Sequence, residues 1–98
     1  MPSENRFHPA VPYELNAALD DYDEFSVKTG NRFRETVKKR FALITSNPEL
    51  FAVAYDDIRI ARVPKFPYSI HYYLIGEIPK FVAQLHTSVD RQNWPDRR

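Results

Sequence analysis

The sequence predicts a single α+β domain, with a helical hairpin packed on one face of a small antiparallel-rich sheet. Two observations predict this fold class: the spacing of apolar residues, and the order of the segments with the short turns between them. Apolar residues recur at helical spacing before Pro48 and alternate at strand spacing after it. Short turns join the segments, and helices followed by a run of strands favour a segregated α+β order. A chain of 98 residues is one domain long, so we assign residues 1–98 to one unit.

The first helix is predicted over residues 11–27. Pro12 suits the first turn of a helix, where its missing N–H costs nothing. Gly30 interrupts the helical spacing, and Thr29 or Asn31 can cap the next helix. The two helices should therefore be separated by a break close to Gly30.

The second helix carries one apolar stripe. Its members recur at helical spacing and are Phe33, Val37, Phe41 and Ile44. The helix must end near Ser46, because the residue before Pro48 is driven out of the helical region. The short connection predicts an antiparallel hairpin in which acidic residues of the first helix pair with basic residues of the second. These residues are Asp20, Asp21 and Glu24 on one side and Arg32 and Arg34 on the other.

Four strands are predicted: residues 4–8, residues 58–63, Tyr68–Ile75 and a last strand over residues 81–86, preceded by a GEIP hairpin turn. Side chains alternate between the faces of a strand, which sorts these residues into two sets. The helices should cover Ile58, Ile60, Ile70, Tyr72, Phe81, Ala83 and Leu85. The uncovered face should carry Arg59, Ser69, His71, Tyr73, Gln84 and His86.

Composition restricts the class of protein. The net charge is only +1, which gives no overall electrostatic argument for nucleic acid. The chain has no cysteine, which excludes disulfides and thiolate metal sites. Three scattered histidines do not predict a metal site, so we expect neither metal nor cofactor. The N-terminus has no apolar signal-peptide region and no run is long enough to span a bilayer, which predicts a cytoplasmic protein without a membrane partner.

Four phrases in the chain resemble the RelE/ParE superfamily of toxins from bacterial type II toxin–antitoxin systems, the plasmid-stabilisation type. They are FHPAVPYELNAALDDYDEF, GNRFRETVKKRFALITSNPELF, IRIARVPKFPYSIHYYL and VAQLHTSVDRQNW, in the order that the family has them. The resemblance covers residues 7–98 and implies a β-α-α-β-β-β fold. It also implies a toxin that inhibits growth and is neutralised by a cognate antitoxin protein.

The resemblance leaves the target of the toxin open. Some relatives cleave mRNA on the ribosome, whereas others poison DNA gyrase without hydrolysis. By position, Arg59 matches the family's strand arginine and His86 matches its last-strand histidine. Val89 stands near the place of a further family arginine, and Arg91 follows Asp90 where the family commonly has proline. The C-terminal arginine or tyrosine of the nuclease branch therefore has no secure counterpart in this chain.

The candidate catalytic residues are His86 and Arg59. Metal-independent RNA cleavage needs proton transfer, which suits histidine, and a cation on the phosphate, which suits arginine. Residues that could bind the substrate are Arg62, Lys65, His71, Tyr73 and Trp94. The alternative interpretation is that His86 only ends a strand and that Trp94 anchors the tail.

Three functions therefore stay open: a gyrase-binding toxin, a ribosome-dependent mRNA endonuclease, and a relative that retains only antitoxin binding.

Overall fold

The computed structural model describes residues 7–87. Two helices are followed by four strands: α1 (Ala10–Phe25), α2 (Val27–Ser46), β1 (Val53–Tyr55), β2 (Ile58–Arg62), β3 (Tyr68–Ile75) and β4 (Ile78–His86). The strands form one antiparallel sheet in the order β1-β2-β3-β4. The helices pack on this sheet, which confirms the predicted α+β class. None of the helices described is long and apolar enough to cross a membrane.

The helical hairpin turns at Ser26, four residues before the predicted break. Ser26 is extended, with φ −170° and ψ 130°, and its Oγ accepts a hydrogen bond from the Thr29 N–H at 3.3 Å. Gly30 lies inside α2 and is buried against Asp23, whose side chain occupies the space that a Cβ at position 30 would need. The predicted caps at Thr29 and Asn31 are therefore wrong. The predicted end of α2 at Ser46 is confirmed.

The main core lies between the helices and one face of the sheet, which we call the helix face. Its buried members are Ala18, Phe33, Val37, Ile44, Ala61, Val63, Ile70, Tyr72 and Phe81. Phe41 completes the predicted stripe of α2 as a half-buried residue. The opposite face, the second face, carries a smaller apolar cluster of Ile58, Val82, Ala83 and Leu85.

A β-bulge in β4 reverses part of the predicted face assignment. His71 pairs with Ala83 but Tyr72 pairs with Phe81, so Val82 is an extra residue on β4. An extra residue shifts every later side chain to the other face. Residues predicted on the helix face after the bulge, Ala83 and Leu85, therefore lie on the second face.

The same shift puts Gln84 and His86 on the helix face, because their partners on β3 are Ile70 and Tyr68. This contradicts the predicted exposed position of both residues.

The faces of β2 were also predicted the wrong way round. Arg59 pairs with Tyr72 and Ala61 pairs with Ile70, so both residues of β2 lie on the helix face. Ile58 and Ile60 belong to the second face. Strand β2 has apolar residues on both sides, and alternation alone could not choose between them. The assignments of Ile70, Tyr72 and Phe81 to the helix face are confirmed.

Strand β4 is at one edge of the sheet, where α1 and the N-terminal segment cover it. Phe7 forms an isolated parallel bridge with Phe81, and the His8 N–H donates to the Phe81 carbonyl at 2.8 Å. The Glu14 carboxylate accepts from the Gln84 backbone N–H at 3.0 Å. These contacts satisfy groups that an edge strand would otherwise expose. Of the predicted first strand, residues 4–6 lie outside the described residues. Strand β1 was not predicted.

The predicted pairing of charges across the hairpin is absent from the described residues. Helix α1 contains five acidic residues and no basic residue, whereas α2 contains six basic residues and one acidic residue. Within residues 7–87, no ion pair joins the predicted acidic residues Asp20, Asp21 and Glu24 to Arg32 or Arg34. Arg34 instead donates to the Asn31 side-chain oxygen at 2.8 Å.

Candidate functional site

Arg59 is held by the backbone of the loop that precedes β1. Its Nη1 donates to the Phe51 carbonyl at 2.6 Å and to the Glu49 carbonyl at 3.4 Å. The neighbouring Tyr72, which is fully buried, donates its hydroxyl to the Pro48 carbonyl at 2.9 Å. Burial raises the pKa of the Tyr72 hydroxyl, while the positive charge of Arg59 acts in the opposite direction. Arg59 and Tyr72 together fasten this loop to the sheet.

His86 lies at the end of β4 against Tyr68. The two rings meet edge to face, with centroids 5.2 Å apart, and both residues are half-buried. Tyr68 also contacts Tyr22 of α1 and Phe33 of α2. His86 is thus part of an aromatic cluster at the junction between the helices and the sheet.

The structure does not bring Arg59 and His86 into one site. They are on the same face, but β3 lies between their strands and their partners on it are Tyr72 and Tyr68. Standard strand spacings put the two backbone positions about 13 Å apart along the strands and about 10 Å apart across them, or roughly 16 Å in all. The guanidinium of Arg59 points further away, towards Phe51 at the β1 edge.

The remaining basic candidates do not form one cluster with Arg59. Arg62 is exposed and pairs with Ser69, which puts it on the second face. Lys65 is exposed in the turn between β2 and β3, where its φ of 70° is in the left-handed region. Arg59, Arg62 and Lys65 are therefore divided between the two faces of the sheet and the turn.

His71 and Tyr73 lie on the second face, as predicted. His71 is buried rather than exposed, and its Nδ1 lies 3.2 Å from the Tyr55 hydroxyl in hydrogen-bond contact. Tyr73 is half-buried and packs against the apolar cluster of this face. The burial of His71 fits a structural role better than contact with a large substrate. Trp94 lies outside the described residues.

Sequence reasoning missed the aromatic cluster around His86, which we define as Tyr22, Phe33, Phe66, Tyr68 and His86. Its ring centroids lie between 4.9 and 6.2 Å from their neighbours. Burial raises the pKa of the Tyr22 and Tyr68 hydroxyls, and the nearby negative charge of Asp21 raises both further. The signal in the sequence was the high aromatic content, but the residues come from both helices, from β3 and β4, and from the turn before β3, which only the fold brings together.

A groove between α1 and α2, with a volume of about 400 Å³, was also not predicted. Its apolar lining is Phe7, Leu15, Leu19, Phe33, Val37 and Phe41, and its polar lining is Asn16, Arg34 and Lys38. Both cations belong to α2 and are exposed.

No group of three or more potential metal ligands occurs among residues 7–87.

Comparison with protein-family models, curated proteins and solved structures finds no match to this chain.

Proposed function

We propose that this protein is the toxin of a bacterial type II toxin–antitoxin module, that it acts by binding its target, and that a cognate antitoxin neutralises it. The support is the ordered resemblance to RelE/ParE toxins over residues 7–98. An α+β domain with a helical hairpin against an antiparallel sheet agrees with that resemblance. The N-terminal segment also makes one isolated parallel bridge to the last strand, from Phe7 to Phe81, which agrees with the resemblance.

The separation of Arg59 from His86 favours binding over RNA cleavage. A metal-independent nuclease needs its proton carrier and its phosphate-binding cation at one reacting group. Here the backbone positions are roughly 16 Å apart by strand spacing. The guanidinium of Arg59 already donates to two loop carbonyls. A toxin that binds gyrase does not need a proton carrier and a cation at one reacting group. We therefore take DNA gyrase as the first target to test.

One observation keeps the mRNA endonuclease as a second candidate. His86 is half-buried rather than fully buried, and it lies beside the Tyr68 ring. An imidazole and a phenol at one surface could transfer protons to and from RNA. A third possibility, a relative that only binds an antitoxin, predicts no toxicity at all.

The test is induced expression in bacteria, with growth, mRNA integrity and gyrase supercoiling measured on matched samples. We expect growth arrest with intact mRNA and inhibited supercoiling, and the His86→Ala variant should arrest growth as the parent does. Specific mRNA cleavage that disappears in His86→Ala would establish the nuclease instead. Such a loss is expected to be about 10²–10⁴-fold in rate, the usual contribution of a general acid or base.

Neutralisation is tested separately, by co-expression with a small reading frame encoded next to this one. The antitoxin should form a stable complex with this protein and restore growth. Complex formation by a protein that never arrests growth would support the relative that only binds an antitoxin. Arrest without any complex would contradict the proposed antitoxin partner.

A further inference from the structure

The groove between α1 and α2 combines an apolar floor with charge on one side. Side chains from both helices and from Phe7 form the floor, and Phe7 packs on Phe41 with ring centroids 5.4 Å apart. Because Phe7 also stacks on Phe81 at 4.9 Å, it closes the end of the groove nearest the β4 edge. A site of about 400 Å³ is within the size range of small-molecule pockets.

The charge in the groove lies entirely on the α2 side. Arg34 and Lys38 are four residues apart and therefore share one face of the helix. Arg34 donates one N–H to Asn31, and no acidic residue pairs with either cation among residues 7–87. The polar group on the α1 side is the neutral Asn16. A ligand that fits this arrangement is apolar along its length and anionic at one side or end.

The volume of the groove favours a small ligand. A pocket of about 400 Å³ is of small-molecule size, and a hydrocarbon chain or a ring fits within it. Lining residues Phe33 to Phe41 on α2 span about 12 Å at the helical rise per residue. An extended chain of about ten carbons has this length.

We propose that the α1–α2 groove binds a free medium-chain carboxylate, with the hydrocarbon on the apolar floor and the carboxylate between Arg34 and Lys38. Arginine can hold a carboxylate through two parallel hydrogen bonds, and the ammonium of Lys38 adds a second charge. This binding site goes beyond the proposed toxin function and does not depend on which target the protein has.

The test uses decanoate below its micelle concentration, measured by calorimetry and by amide NMR shifts on the full chain. We expect saturable binding with shifts concentrated at positions 15–19 and 33–41. Decyltrimethylammonium, which has the same chain and the opposite charge, and butanoate, which lacks the length, should bind at least about tenfold more weakly.

Matched variants separate the local cations from overall charge. The Arg34→Gln/Lys38→Gln variant should lose about tenfold or more in decanoate affinity. The control, Lys28→Gln/Lys39→Gln, makes the same charge change at exposed α2 positions that do not line the groove, and it should bind as the parent does.

Several outcomes would overturn the proposal. They are equal binding of the cationic amphiphile, an equal loss in the control, and shifts located elsewhere in the domain. Concentration-dependent shifts of the same amides without decanoate would identify a second copy of the chain as the occupant. If the double variant fails to fold, the comparison of ligands on the parent protein still decides.

Discussion

The two ends of the helix face use similar residue types in opposite ways. At the β1 end, Arg59 and the buried Tyr72 donate hydrogen bonds to loop carbonyls 2.6 and 2.9 Å away. At the other end, Tyr68 and His86 are half-buried and meet through their rings. The difference shows that an arginine and a tyrosine on a strand can serve the fold entirely. We therefore expect any chemistry on this face at the His86 end.

The largest effect is expected at Tyr72, which is fully buried. Tyr72→Ala removes a large core side chain and leaves the Pro48 carbonyl without its donor, so unfolding free energy should fall by about 3–5 kcal/mol. Urea denaturation measures this loss. Tyr73→Ala, on the half-buried neighbour of the second face, is the control and should cost less. A loss at Tyr72 below about 1 kcal/mol would contradict the packing described here.

Arg59 is expected to act on stability. Arg59→Ala leaves the carbonyls of Phe51 and Glu49 without this donor, and unfolding free energy should fall by about 1–3 kcal/mol. Arg62→Ala, an exposed arginine on the same strand, should stay within about 0.5 kcal/mol of the parent. An Arg59→Ala variant that keeps full stability but no longer arrests growth would contradict a purely structural role for Arg59.

Gln84 lies between these two ends, and its buried side-chain amide is expected to lower the unfolding free energy of the protein. Its side chain is 1% exposed, and neither Oε1 nor Nε2 has a hydrogen-bond partner among the described residues. Gln84→Met keeps the volume and removes the unpaired amide, so unfolding free energy should rise by about 1–2 kcal/mol. The backbone N–H that donates to Glu14 is retained. A destabilised Gln84→Met would mean that the amide has a partner in solution.

Features that depend on local residue spacing were predicted correctly from the sequence. Features that depend on contacts between distant elements were not. Strand β3 and the end of α2 were placed correctly, because a clear alternation and Pro48 mark them. The faces of β4 failed since Phe81, Val82 and Ala83 are all apolar, and such a run conceals a bulge. The helix break failed because an extended Ser26 needs no glycine or proline.

For the candidate site, side-chain chemistry indicated the residue types but could not indicate their partners. Arg59 donates to backbone carbonyls eight and ten residues earlier in the chain, a contact that no side-chain pattern encodes. The cluster around His86 depends on the end of α1 meeting the turn before β3. Both contacts arise from the tertiary packing of the hairpin on the sheet.

The smallest effect expected is the pH dependence contributed by Tyr22 and Tyr68 of the His86 cluster. Burial is the main cause that raises the pKa of both hydroxyls in the folded protein above the ordinary value of 10.0. The charge of Asp21 adds to this at Tyr22, and Tyr22 followed by Asp21 adds to it at Tyr68. Above that value the unfolded chain loses these protons first and therefore binds fewer of them than the folded protein. Their contribution to stability is thus complete below about pH 10 and is lost as the pH rises through the folded-state pKa values.

Urea midpoints measured between about pH 9 and pH 11 should therefore fall with rising pH. The fall should be shallower in Tyr22→Phe/Tyr68→Phe, where the raised pKa of Tyr72 still contributes. Asp21→Asn keeps both hydroxyls and removes the charge that raises their pKa values, so its slope should lie between those of the parent and the double variant. Identical slopes in all three proteins would show that Tyr22 and Tyr68 are as open to water in the folded chain as in the unfolded one. The His86 end would then be a loosely packed surface. The difference in packing between it and the hydrogen-bonded Arg59 end would be larger than the ring contacts indicate.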